Sequence, residues 1–216
     1  IWWGPGFVVV AWIAWALAPT SGWAQVALLA CVTLWGVRLG LYMLSRRHGE
    51  EDARYRAMRE HHGPAFPLRS LWMIFWLQAL ILWLASSPAL VAMGAAGPPV
   101  TAVVLAGLVL FAAGFALEVS ADRAVARFKA DPKNSGRLLT TGLHGAIRHP
   151  NYLGEIILQW GLGIMALGAS LNPLALLGPA LMTGLIIKLS GVPMLEAHLA
   201  GRPGYAEWRG RTGALL

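Results

Sequence analysis

The chain has 216 residues, 57% of them hydrophobic and 12% charged, with a formal net charge of +7. Soluble domains carry about 25% charged residues, so the composition excludes an ordinary soluble globule and a disordered chain. The basic balance does not argue for nucleic acid, because membrane proteins acquire Lys and Arg in their connections for topological reasons.

A helix crosses about 30 Å of hydrocarbon with about 20 mostly apolar residues. Six apolar segments meet that pattern: 1–18, 23–44, 71–92, 100–120, 152–168 and 173–189. None shows the two-residue alternation of a membrane β-strand. The predicted fold is an all-α polytopic membrane bundle with six spans in a single domain, 1–216. Pro19, Pro88, Pro98, Pro99 and Pro173 fall near segment ends, where a missing N–H does least harm. Gly36 and Gly40 have the GxxxG spacing of close helix packing. Gly161, Gly163 and Gly168 lie inside a segment at the wrong spacing for a dinucleotide fingerprint, and read as packing too.

The charges set an orientation. The connections 19–22, 86–99 and 169–172 carry none. The connection 45–70 carries Arg46, Arg47, Arg54, Arg56, Arg59 and Arg69. The connection 121–151 carries Arg123, Arg127, Lys129, Lys133, Arg137 and Arg148. The tail 190–216 adds Arg202, Arg209 and Arg211. Bare and basic connections alternate strictly, which puts the basic ones on the cytoplasmic side of a membrane, expected to be the bacterial cytoplasmic membrane.

Several polar residues lie within or at the edges of spans, where they are costly. Arg38 is about two turns inside the second segment. Glu118 and Asp122 are four apart, on one helix face. Glu155 is one turn inside the fifth segment, on the face of Asn151 and Tyr152. Gln78 and Gln159 are also intramembrane. A snorkelling Arg38 and simple charge neutralisation would account for any one of them. Together they point to a polar pocket on the basic side.

The densest stretch is Arg148-His-Pro-Asn151-Tyr152-Leu-Gly-Glu155. Pro150 starts a helix there, leaving free N–H groups that favour an anion. Arg148 offers a planar fork for phosphate or carboxylate. A second cluster is Glu50-Glu51-Asp52-Ala-Arg54-Tyr55. A third runs from Glu196 through Arg202-Pro-Gly-Tyr205 to Trp208, Arg209 and Arg211, and suits an interfacial helix able to cover the pocket or anchor to headgroups. The histidines (His61–His62, His144, His149) lack metal-site spacing. Cys31, the single cysteine, forms no intrachain disulfide.

Trp35-Gly-Val-Arg38-Leu, Arg46–Arg47, Glu51-Asp-Ala-Arg54-Tyr55, Glu118 with Asp122, the Arg148–Glu155 stretch and Arg202-Pro-Gly-Tyr205 together resemble the uncharacterised bacterial branch of the steroid 5α-reductase superfamily. That resemblance implies a seven-helix bundle in the full-length protein, so a further N-terminal helix is expected. It also implies reduction of a carbon–carbon double bond conjugated to a carbonyl, using NADPH, in an apolar steroid- or isoprenoid-like substrate that enters from the lipid bilayer. Carried over by motif, the cofactor residues are Glu118, Asp122, Asn151, Tyr152 and Glu155, joined by Arg38, Lys129, Arg148, Tyr205 and Arg209. Tyr42, at the cytoplasmic end of the second segment, is the candidate catalytic donor.

An alternative is a membrane methyltransferase of the isoprenylcysteine or phospholipid type, using S-adenosylmethionine. Such enzymes share the Arg-His-Pro-x-Tyr helix start. They carry a late Glu-Glu pair where this chain has Leu195-Glu196, followed by a Gly-x-x-Tyr that Gly201 and Tyr205 resemble. A non-enzymatic scaffold predicts no buried polar pocket.

Overall fold

A computed structural model describes residues 2–19, 21–46 and 53–215. Arg47 and the acidic run Glu50, Glu51 and Asp52 lie outside the described residues. The described residues form helices and turns, with one isolated parallel bridge between Ile147 and Gly213. The helices are α1 (Trp3–Ala16), α2 (Trp23–Ser45), α3 (Arg56–Ala85), α4 (Ser87–Met93), α5 (Thr101–Ala130), α6 (Pro150–Ser170), α7 (Pro173–Leu199) and α8 (Tyr205–Arg211).

Five of these, α2, α3, α5, α6 and α7, are long and apolar enough to cross a membrane. The six predicted spans are one too many by that measure. Helix α1 has 14 residues, which reach only about 21 Å. The third segment is also displaced. Its helix occupies Arg56–Ala85 rather than 71–92 and is interrupted at Gly63, where φ is +53°. Ser86 and Pro88 end it, because a proline has no N–H to give and its ring collides with the carbonyl four residues back. The chain then turns into α4, where Ser87, Pro88, Ala89, Ala92 and Met93 are buried. The Ser87 hydroxyl accepts from the Gly178 amide at 2.8 Å, tying α4 to α7.

Two helices outrun their apolar segments. Helix α5 continues ten residues past 120 as an amphipathic rod, with Ala121 and Asp122 buried and Arg123 outside. Helix α7 continues past 189, bending at Ser190–Gly191 before its last turns.

The frame is the α5–α6 pair, the most extensive helix contact in the protein. It is set by glycine. A Cβ at Gly114 would stand 2.4 Å from the Leu158 amide nitrogen, one at Gly161 2.4 Å from that of Phe111, and one at Gly154 2.6 Å from that of Glu118. Backbones that touch in this way exclude side chains between them and gain dispersion contact along their length, the usual means of joining helices in lipid. Gly36 and Gly40 act likewise for α1 and α2. A Cβ at Gly36 would lie 2.6 Å from the Gly4 carbonyl oxygen, and one at Gly40 2.8 Å from Pro5. Phe7, Trp35, Phe111, Leu158, Leu162 and Met165 fill the core between these pairs.

The bare connections meet at one end. Gln25 at the start of α2 donates to Ala95 O, and the Val100 amide to Gly168 O. The basic ends of α2, α5, α6 and α7 meet at the other, around a shared cavity. Helix α3 is the exception to close packing, since only 11% of its apolar window is buried within the protein. Trp72, Phe75, Trp76 and Trp83 are exposed there, as lipid-facing residues would be, and Gln78 shares that outer surface.

A methyl group at Gly161 must push apart two backbones. Overpacking a core costs about 1–3 kcal/mol, and Gly161→Ala is expected at the upper end of that range in thermal or denaturant unfolding of the protein in lipid nanodiscs. Gly210→Ala, where a Cβ meets nothing within 4 Å, should leave stability unchanged within about 0.5 kcal/mol.

Candidate functional site

The site has an inner polar cluster, a cavity above it and a tail that walls the cavity. The inner cluster begins on α2. Trp35 and Arg38 are three apart and project from one face toward α5 and α6. The Trp35 indole N–H donates to Glu155 Oε2 at 2.9 Å, and the Gln159 amide donates to Glu155 Oε1 at 2.9 Å. The Arg38 guanidinium forks across α5, with Nη1 on Glu118 Oε1 at 2.6 Å and Nη2 on Asp122 Oδ2. Glu118, Asp122, Glu155, Gln159 and Trp35 are all buried. The i,i+4 spacing of Glu118 and Asp122 is what lets one planar fork serve both.

The cavity, about 690 Å³, opens at the basic end of the bundle. Tyr42, Arg46, Asp122, Phe128, Lys129, Arg137, Asn151, Tyr152, Arg202 and Trp208 are among its lining residues. The volume lies in the range of sites for cofactors and drug-sized ligands. Tyr42 has two guanidinium groups over its ring, Arg38 at 5.1 Å and Arg46 at 5.3 Å from the ring centre. Arg46 Nη1 also donates to the Tyr42 hydroxyl oxygen at 3.5 Å.

The third part is the tail. Arg148, nearly fully buried, donates through Nε to Glu196 Oε1 at 2.6 Å and through Nη1 to Arg209 O at 3.1 Å and to Thr212 O. The amides of Arg148 and His149 donate to Gly213 O at 3.0 Å and Ala214 O at 3.1 Å. The Trp208 indole donates to His144 O at 2.9 Å. These bonds hold α8 across the start of α6. Glu196 also reaches His149 Nε2 at 3.2 Å.

Of the eleven candidate residues, Tyr42, Asp122, Lys129, Arg148, Asn151 and Tyr152 line the cavity. Arg38, Glu118 and Glu155 do not. Each lies one turn deeper than a lining residue: Arg38 below Tyr42, Glu118 below Asp122, Glu155 below Asn151. The side chain of Tyr205 is buried and that of Arg209 exposed, and neither lines the cavity. Arg148 lines the cavity and at the same time gives Nε and Nη1 to Glu196 and to the tail. Sequence reading left Arg137 as a topological charge and placed Arg46 and Arg202 in family motifs without a ligand role; all three line the cavity. The signal for Arg46 was its spacing of four from Tyr42 and eight from Arg38, one stripe of α2.

A comparison with protein-family models matches residues 1–212 to the model described as "Protein of unknown function (DUF1295)". The chain belongs to the DUF1295 family. That family falls in the steroid 5α-reductase-like superfamily. No curated protein and no solved structure matches the chain.

Two outcomes follow from the tail contacts. Arg148→Gln removes a buried ionic anchor, and one such bond carries about 1.5–3 kcal/mol. Limited tryptic cleavage after Arg209 and Arg211 should quicken by about tenfold or more. Burial holds His144 below its ordinary value of 6.5, and the neighbouring His149 pushes the same way. A depressed histidine makes its full contribution to stability above its unfolded pKa, and loses it as pH falls from about 6.5 through the folded value. Melting temperature should therefore drop on acidification below pH 6.5, and His144→Gln should flatten that drop.

Proposed function

We propose that the protein is an integral membrane oxidoreductase that uses NADPH to reduce a carbon–carbon double bond conjugated to a carbonyl in an apolar substrate. One observation carries the reading. The cavity is large, and Arg46, Lys129, Arg137 and Arg202 line it beside Tyr42, Phe128, Tyr152 and Trp208. Cations suit a ligand with several phosphates, and aromatic faces suit flat rings. S-adenosylmethionine carries a sulfonium cation and no phosphate, so it offers these cations little to bind. Glu196, the acidic residue of the late helix, is engaged with Arg148 and His149.

In this reading the basic side faces the cytoplasm, where NADPH is found. The four cations hold its phosphates. Asn151 and Tyr152, at the start of α6, bind the polar groups of its reactive ring, and Asp122 with the deeper Glu118 and Glu155 fixes that end of the pocket through Arg38 and Trp35. The bound cofactor supplies hydride to the β-carbon of the substrate. Tyr42 would donate a hydrogen bond to the substrate carbonyl oxygen, where negative charge develops, and a proton from cavity water would reach the α-carbon to complete the reduction, leaving the oxidised cofactor. Helices in lipid let an apolar substrate arrive sideways, without crossing water.

The experiment is ligand-dependent stabilisation. NADPH should raise the melting temperature of the purified protein and S-adenosylmethionine should not; the reverse would sink the reductase. Lys129→Met and Arg46→Met should each weaken NADPH binding about tenfold, which is about 1.4 kcal/mol. Asn151→Ala should weaken it too.

A further inference from the structure

The cations of the cavity come from separate pieces of chain. Arg46 caps α2 and Lys129 stands in the last turn of α5, so both are rooted in the helix bundle. Arg202 follows α7 and belongs to residues 192–214, the stretch that also brings Leu195, Leu199 and Trp208 to the lining. Lys129 lies within electrostatic reach of both Arg46 and Arg202. Among the described residues, no carboxylate forms an ion pair with any of the three. Of the two acids in the lining, Asp122 holds Arg38 and Asp131 accepts from the Lys133 amide. Three like charges therefore share one space and repel across it.

Residues 192–214 are attached in a way that lets them respond. They meet the rest of α7 at Ser190–Gly191, where Gly191, with φ −91° and ψ −94°, is neither helical nor extended. A Cβ at Gly191 would stand 2.6 Å from the Ile186 carbonyl oxygen, so no side chain fits there. Breaks of this kind at the end of an element are where hinges form. Beyond it, the stretch is bonded to the connection that precedes α6. Arg202 Nη1 donates to Arg137 O at 3.0 Å, Trp208 to His144 O at 2.9 Å, and Arg148 to Glu196 at 2.6 Å. None of these bonds reaches α2 or α5. Across the cavity, charge acts where these bonds do not.

We propose that residues 192–214 are a clasp that the phosphates of a bound ligand close. In the empty site, repulsion of Arg202 by Arg46 and Lys129 works against the bonds to the connection, and the stretch opens about Ser190–Gly191. Phosphates placed between Arg202 and the other two cations reverse the sign of that force. Ligand binding and closure then stabilise each other. The proposal rests on the reading of the cavity as a phosphate site, and names how access to that site is regulated.

Hydrogen–deuterium exchange tests it on the full chain in nanodiscs of zwitterionic lipid, with inorganic tripolyphosphate as the probe and its binding measured separately by calorimetry. If the open form holds no ligand, exchange of the 192–214 amides slows by the factor 1 + [L]/Kd, about tenfold when free probe is about ten times Kd. Arg202→Gln should weaken binding and abolish the slowing even at saturation. Arg202→Lys keeps the charge and should keep the slowing, as should Arg123→Gln on the outer face of α5. A merely structural Arg202 would instead speed exchange without ligand and leave the slowing intact. Binding without slowing, or slowing that persists in Arg202→Gln, would overturn the clasp and leave the phosphate site standing. No binding of tripolyphosphate would overturn both. Should Arg202→Gln fail to fold, the unmodified protein and Arg202→Lys still decide, since both must show the slowing.

Discussion

Everything at the site depends on how closely α5 approaches α6. Glycines at 107, 114, 154 and 161 let the two backbones meet with no side chain between them. The residues beside those glycines are therefore forced together. Gly154 precedes Glu155, and the backbone it touches is that of Glu118. Two acids that the sequence separates by 37 positions thus face a common interior. A wider spacing, as Ala or Ser would impose, would put lipid tails or water between them and dissolve the cluster.

Such an interior needs a partner that can address several oxygens from a distance. Arg38 supplies it from a third helix. A lysine would place one compact charge on one acid, while the guanidinium spreads its donors over two. Trp35, one turn earlier, is buried completely and contributes its only polar atom to Glu155. The same short piece of α2 therefore gives the core its largest side chain and the site its cation. Packing and polarity are coupled here, so a change to either is felt by both.

Much of this was legible in the chain. The alternation of bare and basic connections gave an expected orientation, and the basic ends of α2, α5, α6 and α7 lie together around the cavity. The polar residues at span edges marked the site because lipid tolerates few of them. Other features were hidden by the nature of the signal. Hydropathy ends α5 near residue 120, yet the helix runs on to Ala130, since an amphipathic helix needs only one apolar face to continue. Pro88 was read as marking the end of a span, whereas it starts α4, a helix folded back into the core. The tail contacts of Arg148 were hidden because its partners, Glu196 and the carbonyls of Arg209 and Thr212, lie 48 or more positions away. Backbone acceptors carry no trace in a sequence, so a side chain that binds them cannot be told from an unoccupied one.

The tail has a consequence for how the molecule is made. Residues 205–214 follow the five apolar helices described above, and they join the start of α6 through the Ile147–Gly213 bridge and the grip of Arg148. During synthesis the helices enter the membrane one after another, and the cavity stands open to water throughout. The wall that the tail supplies is complete only when residues 205–214 have left the ribosome and found the start of α6. Assembly thus runs from the membrane outward, with a water-soluble segment as the closing piece.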